Sequence, residues 1–370
     1  MKKLNLLLVL FAHGINWVKA KLFVLTKSIL FIPFPNNIYV VPDKKCNSHC
    51  ITCLSWLSKD KNMPWAVWKK TINELSNIFL YSKINISGGE IFYSNLLKKI
   101  SYYSAKKLFY TGIVSNGFLI DKKQAKNLIL KNFSNINISI DGVNEKTVNM
   151  IRGRSYAFEK SWGAIKLLIQ ERNKLKARTK LIVKTIIMGL NIEELPELVK
   201  KVKLIGADGI YFQPIEPIYY SNQTFDELKK TALWVKNKTR ALSSIDKLIA
   251  LKKNGHAILN DFNTLEMFKQ YFGLIKENSL SKKIRKSSCD IDTSNLFIFQ
   301  NGDITFCPFF PSLGNIKSHK IKEIITSKMA DIQRNKIRKC LKINTCLSTC
   351  RGSKSLTQQI KLFFFINHLF

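Results

Sequence analysis

Acidic side chains are scarce in this chain. Its 370 residues hold 25 Asp and Glu against 60 Lys and Arg, a formal charge of +35, which excludes a surface neutralised by its own carboxylates. An imbalance of that size implies an anionic partner: a membrane surface, a nucleic acid, or an acidic or phosphorylated substrate. Basic and aromatic residues do not interleave as in nucleic-acid modules, so nucleic acid is the weakest of the three. A long apolar run is missing as well. Lys19, Lys21 and Lys27 break the stretch from Leu4 to Phe34, which falls short of the ~20 residues that span a bilayer. Met1-Lys2-Lys3 and the apolar Leu4 to Ala12 have the outline of a signal peptide, yet no clear small-residue cleavage site follows. Cysteine is absent between Cys53 and Cys289, and the eight thiols fall into groups of three and five. That grouping argues against a secreted disulfide framework and for metal ligation in a reducing cytoplasm.

What the chain does hold is Cys46-Asn47-Ser48-His49-Cys50-Ile51-Thr52-Cys53, three thiols at CxxxCxxC spacing just past the short apolar Ile38 to Val41. Three thiolates from one tight loop satisfy three irons of a four-iron cluster and leave the fourth open for chemistry. A structural zinc and a redox-active pair are the alternatives. Zinc fingers and ribbons usually close with a second ligand pair, and the five His here are scattered. Lys83 to Ile86 reads as a strand running into Ser87-Gly88-Gly89-Glu90. Paired glycines there let the backbone approach a ligand, and the carboxylate can hold an ammonium group. Ser115-Asn116-Gly117 and Ser139-Ile140-Asp141-Gly142 also end predicted strands, and Arg152-Gly153 comes next.

From Ile38 to about Tyr220, β-branched runs alternate with helical patterns, the signature of a βα-repeating parallel sheet. Strands are predicted at Ile38 to Val41, Ile84 to Ile86, Gly112 to Ser115, Ile136 to Ile140, Leu181 to Met188 and Gly209 to Gln213. Trp65 to Leu80, Lys122 to Leu130, Phe158 to Leu175 and Ile192 to Ile205 carry the helical spacing. The expected fold class is α/β, a partial (β/α)6 barrel of TIM type, whose active groups gather at the C-terminal strand ends. Asn191 follows the fifth strand and Gln213 ends the sixth; each either faces the pocket or ties down a loop. His49 is read as supporting the loop or facing solvent.

On these motifs the sequence resembles the radical SAM enzymes, in which CxxxCxxC is followed by a GGE motif and strand-end contacts. The resemblance implies that Cys46, Cys50 and Cys53 hold a 4Fe-4S cluster whose fourth iron binds S-adenosylmethionine. Gly88, Gly89 and Glu90 would meet its ammonium group, and Ser139 and Arg152 its ribose or carboxylate. Ser87, Ser115, Asn116, Asp141, Asn191 and Gln213 complete the candidate cofactor contacts. Thr52 stands where the family often has an aromatic residue, and Ile91 where proline commonly follows GGE.

Beyond Ser221 the strand alternation stops. Phe225 to Leu242 and Asn263 to Lys276 look helical, joined by a turn at Lys253-Asn254-Gly255, and Lys282 to Lys286 is basic. Leu296 to Gln300 and Ile304 to Phe306 form a hairpin pattern about Asn301-Gly302, and a helix is expected from Ile321 to about Ile337. This region holds Cys289, Cys307, Cys340, Cys346 and Cys350, with Gly302 and Cys307 separated by four residues. It resembles the SPASM or twitch extension of radical SAM enzymes. Five cysteines instead of that extension's seven imply one auxiliary 4Fe-4S cluster on four of them, with a single zinc as the alternative. Pro308 occupies the place of the Asp base of sulfatase-maturing members, which argues against that reaction.

The expected organisation is an apolar, basic segment over 1–36, a barrel over 37–220, a helical bridge over 221–288, an auxiliary-cluster domain over 289–352 and an apolar tail over 353–370. Three readings stay open for the first segment: a cover for the barrel bottom, a helix in a membrane interface, or a poorly ordered arm. The resemblance implies an electron donor such as flavodoxin or ferredoxin. The expected substrate is a lipid or lipid-linked molecule, because 45 residues ahead of Cys46 are too few for a peptide-recognition domain. Peptide modification is the alternative, and an electron-transfer or nucleic-acid-binding protein without radical chemistry is the third reading. The expected location is the cytoplasm, with peripheral attachment at the inner face of the membrane left open.

Overall fold

The computed structural model describes residues 14–340 apart from 17, 20–21, 23–24, 27–31, 34, 60, 79–81, 108–109, 132, 218–222, 276–288 and 290. Its strands are β1 (Asn37–Val41), β2 (Lys83–Ile86), β3 (Tyr110–Ser115), β4 (Asn135–Ser139), β5 (Lys180–Ile187), β6 (Gly209–Pro214), β7 (Asn295–Phe299), β8 (Asp303–Thr305) and β9 (Gly314–Asn315). Helices α1 (Trp65–Ile78), α2 (Asn95–Lys107), α3 (Lys122–Leu130), α4 (Glu145–Arg152), α5 (Ala157–Lys174) and α6 (Leu195–Leu204) connect the first six. Then come α7 (Phe225–Lys230), α8 (Lys238–Lys253), α9 (Phe262–Tyr271), α10 (Ile291–Ser294), α11 (Ile321–Ile325) and α12 (Lys328–Arg338).

The strands form one sheet in the order β6-β5-β4-β3-β2-β1-β7-β8-β9. It is parallel through β7 and antiparallel beyond, and its ends do not meet, as in a partial barrel. Burial follows from the period of two. Ile38, Ile84, Ile113, Ile136, Ile138, Leu181, Val183, Ile210 and Phe212 are at most 1% exposed, packed under the helices. Each such side chain contributes roughly 1.5–3 kcal/mol. The alternate positions Ser139, Lys184, Ile186, Tyr211 and Gln213 are only half-buried and line the concave face. Ser139 pairs with Lys184 and Lys184 with Tyr211, so the three share one row.

Several elements differ from the sequence expectation. The expected hairpin forms as antiparallel β7 and β8, and β7 in addition lies parallel to β1, with Asn37 opposite Asn295 and Val41 opposite Phe299. A hairpin pattern is local and carries no information on which strand it will join. The stretch expected as one helix from Phe225 divides into α7 and α8, because Thr231 to Lys236 leaves the helix before Asn237 caps α8. Residues 257–260 then run beside β6, with Ile210 N donating to Ala257 O at 2.9 Å and the Asn260 amide bridging Phe212 N and O. That pairing covers the sheet edge. Helices α2 and α4 were not anticipated, and α4 positions Arg152.

Candidate active site

The thiol loop leaves the C-terminal end of β1 and is fastened on two sides. On the β2 side, Gly89 N donates to Asp43 O at 2.9 Å and Glu90 N to Lys45 O at 2.8 Å. Asp43 is buried and accepts from Lys45 N and Ser94 Oγ. A Cβ on Gly89 would stand 1.8 Å from Lys45 O, and one on Gly88, at φ +128°, 2.2 Å from Asp43 O. The paired glycines therefore make a close approach to the loop itself. Glycine is required because neighbouring backbone, which cannot swing aside, fills the space.

The second fastening comes from α4 and the residues after it. His49 N donates to Arg152 O at 3.2 Å, Ile51 N to Ile151 O at 3.0 Å and Ser48 Oγ to Arg152 O at 2.8 Å. Gly153 is left-handed at φ +63°, and a Cβ there would meet His49 O at 2.3 Å. Arg154 Nε donates to Asn47 O at 2.8 Å, and its terminal nitrogen lies 2.8 Å from His49 Nε2. His49 stacks on Trp56 at 4.3 Å, so it supports the loop. From β3, the Asn116 amide donates to Asn47 Oδ1 at 2.8 Å.

Two of the three sulfurs, those of Cys46 and Cys50, sit among donors, and the Cys53 thiol donates to Ser55 Oγ at 3.2 Å. Ser48 N donates to Cys46 Sγ at 3.4 Å, Ser48 Oγ lies 3.1 Å from Cys50 Sγ, and the Arg152 guanidinium reaches Cys50 Sγ at 3.8 Å. Burial, together with Glu90 and the two other thiols, pushes the Cys46 thiol up to about 12 despite the Ser48 N–H. A cation at the sulfurs reverses that penalty, because metal-bound thiols are deprotonated. Among the described residues no three His, Cys, Asp or Glu side chains converge on a single metal ion. A cluster takes each thiolate through a different iron, so the loop's donor set fits it.

Around the loop the remaining candidates divide. Glu90 is 1% exposed, and its carboxylate accepts from Ser115 Oγ at 2.8 Å and Asn116 N at 2.7 Å. Burial raises it to about 7 against the pull of those bonds. Ser87 N donates to Val40 O at 2.9 Å, joining β2 to β1. Asp141, 1% exposed, accepts from Ile186 N and pairs with Arg152 at 2.6 Å, so it orients the arginine. Burial opposes the Arg152 charge, but Asp141 and Cys50 outweigh it and hold the guanidinium above its ordinary value. Arg152 Nε is buried with no hydrogen-bond partner among the described residues, a donor that suits the carboxylate of a bound amino-acid-like ligand. Asn191 is also buried, but its amide donates to Asp141 O and Ile186 O and accepts from Met188 N, so it ties loops together. The Ser139 and Gln213 side chains lie half-buried in the concave face, and neither makes a hydrogen bond to the described residues.

Sequence reasoning missed Asp43, Ser48, Arg154 and two further acids. Glu194 accepts from Val143 N at 2.8 Å and Asn144 N at 3.0 Å, which fixes the turn after β4. Glu216, just past β6, is 7% exposed with Oε2 unpartnered among the described residues. Burial raises its carboxyl to about 7, and Lys184 only partly offsets this. The available signal was one carboxylate inside the apolar Pro214-Ile215-Glu216-Pro217.

At the C-terminal end, Cys289 precedes α10 half-buried, Cys307 is 8% exposed after β8, and Cys340 follows α12. Cys346 and Cys350 lie outside the described residues. The frame between them is polar. Gln333 accepts from Thr305 Oγ1 and Phe306 N at 3.0 Å, Arg334 lies over the Phe306 ring at 4.6 Å, and Arg338 pairs with the buried Asp292 at 3.2 Å.

The sequence matches the Radical SAM superfamily over residues 40–205 and the SPASM iron-sulfur cluster-binding domain over 289–351. It is 22% identical over 305 residues to AlbA of Bacillus subtilis, an antilisterial bacteriocin subtilosin biosynthesis protein, covering 80% of this chain and 61% of AlbA. It is 26% identical over 160 residues to an S-adenosylmethionine-dependent nucleotide dehydratase of Selenomonas ruminantium, covering 43% of this chain and 58% of that protein. The chain thus spans about three fifths of each relative. SuiB of Streptococcus suis, in crystals with S-adenosylmethionine, shares the fold at a TM-score of 0.61 and 16% identity over 89% of this chain and 74% of SuiB. SuiB bound to its precursor peptide SuiA gives the same score over 73% of that chain. Residues 40–205 thus form a Radical SAM domain, with a 4Fe-4S cluster and S-adenosylmethionine as its cofactors, and residues 289–351 a SPASM domain with auxiliary iron-sulfur.

Proposed function

We propose that this chain cleaves S-adenosylmethionine reductively and directs the resulting radical at a peptide. When bound, the cluster and S-adenosylmethionine supply a 5′-deoxyadenosyl radical able to take hydrogen from an unactivated carbon. The residues of the chain supply positioning and exclusion of water. Cys46, Cys50 and Cys53 would each hold one iron, and the observation that carries this is their placement in a loop pinned by Gly88, Gly89 and Gly153. Glu90 would receive the ammonium group and Arg152 Nε the carboxylate, with Asp141 setting the angle of the guanidinium. Ser139 and Gln213 would meet the ribose or the substrate. Four of Cys289, Cys307, Cys340, Cys346 and Cys350 would hold one auxiliary cluster. Radical SAM enzymes need a reductant, for which a flavodoxin or ferredoxin is the proposed class.

A peptide is favoured because AlbA, named for bacteriocin biosynthesis, is similar over 80% of this chain. SuiB carries a precursor peptide on the same fold. A lipid-linked substrate is the second reading, favoured by the exposed Ile15, Val18 and Leu25 ahead of β1. The test is 5′-deoxyadenosine formation by the reconstituted enzyme with pooled cellular peptides or with lipid extract. Stimulation by peptides and a mass change in one of them supports the reading; stimulation by lipid alone overturns it.

A further inference from the structure

Among the described residues every ion pair but that of Arg152 with Asp141 lies from α5 onward. They include Arg172 and Lys180 with Asp208, Lys200 with Glu197, Lys229 with Asp226, Arg240 with Glu193 and Lys269 with Asp246. Helices α1 to α3 carry Lys69, Lys70, Lys98, Lys99, Lys106, Lys107, Lys122, Lys123 and Lys126, with Lys131 as the cap of α3. None of these ten makes an ion pair with a described residue. The acids of this flank are engaged elsewhere: Glu74 accepts from Ile321 N at 2.7 Å and Asp121 from Gln124 N at 2.7 Å. Genome-wide bias toward lysine would add lysines to every face alike without removing acids; here α1 to α3 carry nine lysines against one acid, Glu74, whereas α5 and α6 carry seven basic residues against three acids.

The flank is continuous. Lys99 lies over the Trp65 ring at 4.7 Å, Lys107 over Tyr103 at 5.9 Å, and Lys131 over Tyr102 at 5.2 Å, which joins α3 to α2. Lys106, Lys107 and Lys131 stand where β3 and β4 begin, at the end of the sheet opposite the thiol loop. The segment before β1 is attached to that same end through Asn16 Nδ2 and Asn36 Oδ1 at 3.2 Å. In it the helical residues Ile15, Val18 and Leu25 are 42%, 48% and 79% exposed.

We propose that this basic flank and the exposed Ile15, Val18 and Leu25 together dock the enzyme on an anionic lipid bilayer, with the active-site mouth turned away. The charge is carried by lysine alone, with no arginine in α1 to α3. Lysine is a point charge that suits a diffuse anionic surface, whereas nucleic-acid contacts favour the bidentate guanidinium. Strands β2 to β4 beneath are central and offer no free edge to an acidic peptide. Exposed apolar side chains beside lysines are what an interfacial helix inserts.

The test uses the full reconstituted chain in flotation with phosphatidylcholine vesicles that contain phosphatidylglycerol or lack it. The expected result is binding only to the anionic vesicles, weakened by about fivefold per lysine removed. A Lys99→Gln, Lys106→Gln, Lys107→Gln, Lys131→Gln variant should lose it by at least a hundredfold at unchanged circular dichroism and unchanged basal S-adenosylmethionine cleavage. Equal charge removal at Lys160, Lys166, Lys200 and Lys203 should leave binding within a fewfold of the original. Ile15→Ser, Val18→Ser, Leu25→Ser should weaken it without changing its salt dependence. Equal loss in both lysine variants, no preference for anionic vesicles, or binding of an RNA oligonucleotide in preference to vesicles would each overturn the proposal.

Discussion

On the thiol-loop side of the active-site rim nearly every polar group is spent on a neighbour, whereas on the side toward β5 and β6 three groups are left open. Asp43, Ser48, Asn116, Arg154 and the backbone of Arg152 all fasten the loop. Ser139, Gln213 and Glu216 keep a hydroxyl, an amide and a carboxyl without hydrogen-bond partners among the described residues. The first arrangement suits a rigid seat for a fixed inorganic group; the second suits a variable ligand that brings its own donors and acceptors.

The sharpest way to break this comparison is to damage the seat. Gly89→Ala should abolish bound iron after reconstitution, because its Cβ would stand 1.8 Å from Lys45 O and backbone must move. Gly163→Ala, in α5 with nothing within 4 Å, should keep full iron and gain about 0.5–1 kcal/mol in urea unfolding. Next in size is Asp141→Asn, which leaves the buried Arg152 without its counter-charge. A cost of about 3–5 kcal/mol is expected in stability, together with weaker S-adenosylmethionine binding by calorimetry at full iron content.

Glu216 tests the open side by pH. Its carboxyl is raised from 4.5 to about 7 by burial, so the folded chain keeps a proton that the unfolded chain releases. Stability from this group is present below about 4.5 and is lost as pH rises through about 7. Glu216→Gln should therefore flatten the fall in unfolding free energy across that window by on the order of 1–3 kcal/mol. Glu90, raised in the same direction, should retain the rest of the slope. The smallest effect is expected from Ser139→Ala: less than about 1.5 kcal/mol in S-adenosylmethionine affinity and none in iron content.

The positions of β1 to β6 were legible in the sequence because each is a short β-branched run between amphipathic segments, and the thiol loop because its spacing is diagnostic. The reason for the glycines was not, since Lys45 O and Asp43 O approach them only in three dimensions. Helix α2, Asn-Leu-Leu-Lys-Lys-Ile-Ser-Tyr-Tyr-Ser-Ala-Lys-Lys, was obscured by Ser and Tyr, which weaken its helical pattern. Asn191 was identified as a strand-end residue, but whether it met a ligand or a loop depended on Asp141 O and Ile186 O lying within reach. The partnership of β7 with β1 joins residues 258 apart and leaves no local trace. Glu216 carried the visible oddity of a charge in an apolar stretch, and only the packing around β6 shows that it is buried.

The most direct measurement is anaerobic reconstitution with iron and sulfide, followed by S-adenosylmethionine and dithionite, scoring 5′-deoxyadenosine by mass. The expected result is product from the wild-type chain and none from Cys46→Ala, Cys50→Ala, Cys53→Ala. Equal product from both, or no product from iron-loaded wild type even with cell extract added, would contradict a radical reaction at this loop.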